Sequence, residues 1–209
     1  MGAHIERVSG QTLEEYFHAN IFARLGMKET TYLPPPALRE RIVAKGTRLP
    51  DGTYKQEVVE VPAKVTPAGG GGLFAPAADY VKFMQMFLRG GQGVLKPESN
   101  DAMRKNQIGA LHVRRMISTN PALSRDFGFH IEANDKFGLG FQLNPVAYKD
   151  GRAANSMAWA GLWNTFFWID PEKKICAVIL MQTSPFFDEP SIRTLQAFEK
   201  AVYQGLSQK

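Results

Sequence analysis

The sequence predicts an α/β (α+β) domain, in which helices come first, antiparallel strands follow, and a last helix closes the chain. Three observations support this order. Apolar residues recur at helical spacing over residues 13–25 and again over 80–88. Beyond residue 136 the pattern changes to short aromatic and β-prone runs separated by turns. Helical spacing then returns over residues 192–202.

The first complete helix signal begins at Thr12. A hydroxyl residue followed three positions later by Glu15 is a capping box, because each side chain satisfies an unpaired backbone N–H of the first turn. Gly26 is a suitable C-terminal stop for this helix. Residues 3–8 resemble the tail of an earlier helix, with no cap or turn before them. We therefore expect this sequence to be the C-terminal part of a longer domain.

The middle of the sequence is rich in residues that interrupt helices. Three prolines, Pro34–Pro36, predict a break, and residues 37–65 read as loop, with one short strand over 58–61 that ends at Pro62. Gly69–Gly72 can adopt positive φ angles and allow close backbone approach. Pro76 suits the first position of a helix that runs to Gly90, and a weaker helix follows over 98–105.

The last third predicts strands. Residues 138–143 and 163–169 favour strand, and a turn is expected at Asp170–Lys173. The continuous apolar run at 175–181 is typical of a strand that is buried on both faces. A C-terminal helix is expected to begin near Pro190. Residues 1–135 are thus expected to be mostly helices and loops, and residues 136–209 to hold antiparallel strands and the C-terminal helix of the same domain.

Composition excludes several classes of protein. The formal net charge is +5, and the Lys and Arg residues are expected to be scattered along the sequence. The densest groups are Arg39–Arg41 and Arg114–Arg115. This pattern does not favour nucleic-acid binding. A single cysteine, Cys176, excludes an internal disulfide, and no apolar run approaches the roughly 20 residues that span a bilayer. No signal peptide is recognised in residues 1–7, so the localisation, periplasmic or cytoplasmic, stays open.

Common catalytic motifs are absent from the sequence. No Ser is followed three places later by Lys, and there is no G-x-S-x-G turn. The histidines show no metal-binding spacing, and Gly69–Gly72 lacks the features of a phosphate loop. We therefore expect neither a metal nor a cofactor.

The segment 156–166 is the strongest candidate site. Ala160 and Gly161 leave room for a ligand beside the strand, and a free backbone N–H there can stabilise a developing oxyanion. Three tryptophans, Trp159, Trp163 and Trp168, can provide apolar walls. The alternative is that all three simply fill a core.

Several segments in the same order resemble the serine β-lactamase-related family, which includes class C β-lactamases, D-alanyl-D-alanine carboxypeptidases and β-lactamase-like esterases. The segments that carry the resemblance are residues 6–16 with 21–31, 68–75 with 78–80, 137–141, 159–161 and 167–171. The resemblance implies the later part of the β-lactamase/transpeptidase fold. It also implies a serine nucleophile in an S-x-x-K motif and a Y-x-N motif, and neither occurs in this sequence.

The resemblance assigns one catalytic element to this chain. Trp159-Ala160-Gly161 stands where the family has its K-T-G-like substrate strand, and the backbone N–H of Leu162 is the implied oxyanion donor. A Trp in place of Lys offers an apolar face and one N–H donor, so the resemblance implies a preference for esters or amides over anionic β-lactams.

Three functions remain open at this point. The first is that the chain is part of a serine hydrolase that is inactive without its nucleophile segment. The second is that it is a non-catalytic binding or regulatory remnant that keeps the groove. The third is an independent enzyme that uses Ser156 or Cys176. The expected partners are a small ester, amide or β-lactam substrate, together with a second copy of the chain or a complementing N-terminal chain that covers an exposed sheet edge.

Overall fold

A computed structural model describes residues 1–207, except for the side chains of Ile131 and Ser207. Helix α1 spans Gly2–Ser9 and ends at Gly10, whose φ of 70° lies in the left-handed region. Helix α2 (Leu13–Phe17) continues through a π-helical turn into α3 (Ala23–Leu25), which ends at Gly26. The predicted helix and its glycine stop are therefore confirmed.

The capping box at the start of α2 is confirmed. The Glu15 backbone N–H donates to Thr12 Oγ1 at 3.2 Å, and the Thr12 N–H donates to Glu15 Oε2 at 2.8 Å. Each side chain thus satisfies a donor that the helix leaves unpaired. Leu13, the first residue of the helix, is fully buried.

The segment after the prolines holds more structure than its sequence predicts. A short helix α4 (Pro36–Arg39) precedes a hairpin of β1 (Lys45–Arg48) and β2 (Tyr54–Glu57). The prediction of a strand at 58–61 is wrong, because β2 ends at Glu57 and Val58 is 86% exposed. Strand β1 also pairs in parallel with β8 (Thr183–Ser184).

Helix α5 (Ala77–Leu88) lies across one face of the main sheet. Pro76, the predicted first helical residue, is instead the N-cap, because its ψ of 154° is extended, and the helix begins one residue later at Ala77. Gly90 and Gly91 both have positive φ and end the helix as predicted. Helix α6 (Pro97–Met103) follows, and a single 3₁₀ turn spans Ile131–Ala133.

The main sheet is an antiparallel meander of five strands in sequence order. It consists of β3 (Lys136–Phe137), β4 (Gln142–Leu143), β5 (Met157–Gly161), β6 (Thr165–Asp170) and β7 (Ile175–Ile179). The prediction of one strand over 138–143 is wrong. The Gly138 N–H donates to the Phe141 carbonyl at 2.8 Å, and Gly140 has φ 95°, so these residues turn the chain between β3 and β4.

Strand β7 agrees with its prediction only in part. It pairs only with β6 within residues 1–207, so it lies at the edge of the sheet. Of its five residues only Ala177 is buried, and Leu180 just beyond it is 39% exposed. Its side chains nevertheless pack against both core layers, Cys176 and Val178 on one face and Ala177 and Ile179 on the other. The packing on both faces agrees with the prediction, but only Ala177 is fully buried.

The core has two layers, one on each face of the sheet. Alternate side chains of β6 enter them: Ile169 packs with α2, α3 and α5, whereas Phe166 and Trp168 pack with the C-terminal helix α7 (Glu189–Ser207). The predicted C-terminal helix is confirmed. Within residues 1–207, no helix has the length and apolar character needed to cross a membrane.

Candidate functional site

Trp159 lies on the face of β5 that α5 covers. It sits opposite Phe167 of β6, which is in turn opposite Val178 of β7. Together with α5 these strands enclose a cavity of about 400 Å³. None of the residues around it carries a charge; they are Tyr80, Phe83, Met103, Leu139, Gly140, Phe141, Trp159, Ala160, Gly161, Thr165, Phe166, Phe167, Val178 and Leu180.

The tryptophans have three different environments. Trp168 is fully buried, as a core residue would be. Trp159 is half-buried, and the edge-to-face contact with Phe137, with 5.0 Å between ring centroids, fixes its ring beside the cavity. Trp163 lies under the ammonium of Lys45, whose nitrogen is 5.2 Å from the ring centroid. The alternative that all three fill a core thus holds for Trp168 alone.

The turn after Gly161 exposes the predicted oxyanion donor. Leu162 is 47% exposed, and its backbone N–H donates to no acceptor within the described residues. Gly161 is closely packed, because a Cβ built there would lie 2.4 Å from Thr165 Oγ1, so a larger residue would require that side chain to shift. The strand end is therefore open to a ligand on one side and tightly packed on the other.

Asn164 holds this turn in place, and sequence reasoning missed it. The residue has φ 59° and is fully buried. Its side-chain nitrogen donates to the carbonyls of Thr183 and Pro185, both at 2.9 Å, and its side-chain oxygen accepts from the Phe187 N–H. An Asn three residues after a strand glycine is a turn signal that could have indicated this role.

A larger groove of about 820 Å³ continues from the cavity, and the two share Tyr80, Phe83, Thr165 and Leu180. The groove is lined by residues within 17–22, 27–43, 72–83, 163–165 and 180–182, and these include the charged Glu29 and Arg41. Burial raises the pKa of Tyr80, so its phenol stays protonated at neutral pH. The extent of this groove was not predicted, because its walls come from five separate parts of the chain.

Neither alternative nucleophile is placed for catalysis. Ser156 is 1% exposed, and its hydroxyl donates to the Ala153 carbonyl at 2.8 Å. Burial raises the pKa of the Cys176 thiol, which disfavours the reactive thiolate. Among the described residues there is no group of three or more His, Cys, Asp or Glu side chains that could hold a metal ion.

Comparison with known proteins shows the family of this chain. The β-lactamase family model matches residues 1–201, and the chain therefore belongs to the β-lactamase family. This family comprises serine hydrolases and acyltransferases of the β-lactamase fold. The resemblance to its later part, and the mixed α/β fold with an antiparallel sheet, are confirmed.

Particular relatives are similar along almost the whole chain. Monacolin J acid methylbutanoyltransferase of Aspergillus terreus is 25% identical over 99% of this chain, which spans 52% of that protein. Lovastatin esterase of Penicillium rubens is 28% identical over 99% of this chain, which spans 54% of that protein. A variant of simvastatin synthase from Aspergillus terreus has the same fold, with a TM-score of 0.83 and 24% identity over 100% of this chain and 55% of its own. The chain thus spans about half the length of the curated relatives it matches.

Proposed function

We propose that this chain supplies the substrate-lining part of a serine hydrolase site for acyl transfer from an ester, amide or β-lactam to water. The observation that carries the proposal is the position of Trp159-Ala160-Gly161 beside an uncharged cavity, with the Leu162 N–H unpaired at its end. An N–H held on a packed turn can stabilise the negative charge that forms on a carbonyl oxygen during acyl transfer.

The proposed nucleophile comes from outside residues 1–209, because no S-x-x-K motif occurs within them. It belongs to a longer chain or to a complementing partner, and residues 1–209 are the C-terminal portion of one domain. Ser156 and Cys176 do not replace it, since the hydroxyl is committed to a buried carbonyl and the thiol is protonated by burial. The chain alone is therefore inactive in this proposal.

The walls of the cavity favour neutral substrates. Trp159 offers an aromatic face where a lysine would hold a carboxylate, and no charged residue lines the cavity. Burying an anion there without a partner is costly. We propose that the complete site prefers neutral esters or amides to anionic β-lactams. Two relatives, an acyltransferase and an esterase by name, are consistent with this preference.

Labelling of the purified chain with a fluorophosphonate or fluorescent penicillin probe tests the central step. We expect no adduct by intact mass, because the chain holds no activated serine. A stoichiometric adduct on one residue would show that the chain is an enzyme by itself. Once the nucleophile segment is supplied, faster hydrolysis of nitrocefin than of p-nitrophenyl butyrate would contradict the proposed preference for neutral esters.

A second candidate function is a non-catalytic binding or regulatory protein that keeps the groove. The observation in its favour is that the cavity and the groove are both formed by residues of this chain alone. Titration with a neutral ester, followed by tryptophan fluorescence, separates the two. Saturable binding that no complementing segment converts into turnover would favour the binding role.

The exposed apolar rim supports association with a second copy or with a complementing chain. Leu73, Leu139 and Leu180 line the two cavities and are 39–50% exposed. Strand β7, which ends just before Leu180, pairs on one side only within residues 1–207. We expect the isolated chain to form a homo-oligomer in multi-angle light scattering. A clean monomer at micromolar concentration would contradict that association.

A further inference from the structure

The net charge of the chain is concentrated in residues 104–125. This segment carries five basic residues and no Asp or Glu, in a chain whose formal charge is +5. The rest of the sequence has 20 Lys or Arg and 20 Asp or Glu, and is therefore neutral. The expectation of scattered basic charge is wrong over this segment. The five residues are Arg104, Lys105, Arg114, Arg115 and Arg125.

Most of these charges have no acidic partner. Arg115 lies 3.4 Å from Asp126 in an exposed ion pair, whereas the other four form no ion pair within residues 1–207. Lys105, Arg114 and Arg125 are exposed, and Arg104 is half-exposed. The segment therefore presents unneutralised cations to the solvent.

Exposed aliphatic side chains lie among the cations. Leu111 is 66% exposed, Ile117 69% and Leu123 48%. The segment contains no Phe, Trp or Tyr. Protein interfaces usually depend on aromatic anchors in pockets, and single-stranded nucleic acids on aromatic stacking. Aliphatic residues flanked by cations are instead typical of surfaces that enter the headgroup region of a membrane.

The segment is fixed to the sheet although it has little regular structure. Lys136 of β3 donates through Nζ to the carbonyls of Gly109 (3.2 Å), Ala110 (3.4 Å) and Leu111 (2.8 Å). The Gln107 N–H donates to Phe137 and the Val113 N–H to Asp135, at 2.8 and 2.7 Å. Two further backbone bonds join Met116 to Phe127. The cations are thus held on an anchored backbone, next to Met103 at the cavity wall.

We propose that residues 104–125 form a binding surface for anionic lipid bilayers. Clusters of four to eight cations bind such bilayers, because each contributes about 1 kcal/mol near the surface. Arg114 and Arg115 contact lipid phosphates, and Leu111 and Ile117 enter the headgroup layer. The surface is peripheral, so it requires no spanning helix, and it does not depend on the proposed acyl-transfer site.

Sedimentation with vesicles tests this proposal on the whole chain. We expect binding to phosphatidylcholine vesicles containing about 30% phosphatidylglycerol, and little binding to pure phosphatidylcholine. Binding to the anionic vesicles should fall strongly between 0.1 and 0.5 M NaCl, because salt screens exposed charges. The double variant R114Q/R115Q should bind about 10- to 30-fold more weakly. The matched control K55Q/K64Q removes two exposed cations outside the segment and should lose less than about threefold.

A second variant tests the aliphatic contacts. L111S/I117S keeps every charge, and we expect it to bind several-fold more weakly with the same salt dependence. Equal losses in R114Q/R115Q and K55Q/K64Q would overturn the proposal, since they would show a general charge effect. Tight binding to poly-L-glutamate or to DNA, without binding to anionic vesicles, would assign the surface to an acidic protein or a nucleic acid instead. Thermal melts identify any variant that fails to fold. The comparison of anionic with neutral vesicles uses the unmodified chain and therefore does not depend on the variants.

Discussion

The side-chain nitrogen of Gln142 donates a hydrogen bond to Asp135 Oδ2 at 2.6 Å, deep in the protein. Tyr148 donates to the same carboxylate oxygen. The other carboxylate oxygen, Asp135 Oδ1, and the amide oxygen of Gln142, Oε1, accept nothing from any described residue. A proton on Asp135 would supply the missing donor for this pair. Burial raises the pKa of Asp135, although the bonds from Tyr148 and Gln142 act in the opposite direction.

An Asp in the unfolded chain has a pKa of about 4, and the pKa of Asp135 in the folded chain is higher. We therefore expect the free energy of unfolding to fall as the pH rises from about 4 through the folded pKa. The unfolded chain releases the proton first, so the folded state is favoured at low pH and loses this contribution as pH rises. The charges around Asp135 are those of His130 and Arg152, and both favour its ionised form. Asp135→Asn keeps a donor at every pH, so its stability relative to the parent should increase between pH 4 and 7. Urea unfolding at several pH values measures this, and a constant difference would contradict it.

The buried ion pair between Arg152 and Glu199 predicts a large loss when one partner is removed. Two bonds of 2.9 Å join the side chains, which are only 9% and 11% exposed. Glu199→Ala should lower the free energy of unfolding by about 3–5 kcal/mol, because Arg152 keeps a buried charge without its partner. Glu189 on the same helix pairs with Arg193 at the surface and is the matched control. Glu189→Ala should cost less than about 1 kcal/mol, and equal losses at the two sites would contradict this account.

The contact between Gly161 and Thr165 predicts a coupled pair of substitutions. Gly161→Ala places its Cβ 2.4 Å from Thr165 Oγ1, so we expect a destabilisation of about 1–3 kcal/mol. Removing the hydroxyl in a Gly161→Ala/Thr165→Ala variant should recover part of that loss. Gly70→Ala is the control, since nothing lies within 4 Å of its added Cβ. Strict additivity in the double-mutant cycle would show that the hydroxyl does not restrict this position.

Cys176 should react slowly with thiol reagents in the folded protein. Burial raises its pKa and the side chain is only half-exposed, so little thiolate is available at pH 7. We expect reaction with dithionitrobenzoate to be several-fold slower in buffer than in 6 M guanidinium chloride. Rapid native labelling would restore Cys176 as a candidate nucleophile.

Local signals predicted the parts of the fold that local chemistry determines. The capping box at Thr12 and the stop at Gly26 each depend on a few neighbouring residues, and both are confirmed. Strand 138–143 was mispredicted because the β-prone Phe141 lies in a turn made by Gly138 and Gly140. The edge position of β7 was not predicted, because an apolar run does not reveal how many strands pair with it.

The candidate site was only partly predictable for the same reason. Trp159 and Gly161 belong to one strand, so a resemblance over consecutive residues could identify them. The partners that position them come from distant segments. Phe137 fixes the ring of Trp159, and Asn164 holds the turn through the carbonyls of Thr183 and Pro185. Such contacts depend on tertiary packing, which the order of residues in a segment does not specify.

The parallel pairing of β1 with β8 has a consequence for synthesis on the ribosome. Gly46 bonds to the carbonyl of Gln182 at 2.7 Å, so the hairpin near residue 50 gains its third strand only after residue 184 has been made. At the usual rates of translation this interval is on the order of 10 s. An isolated two-stranded hairpin is only marginally stable in water. The hairpin of β1 and β2 therefore lacks its third strand throughout that time. Chaperones that bind emerging chains therefore have a defined interval in which residues 45–57 are open to them.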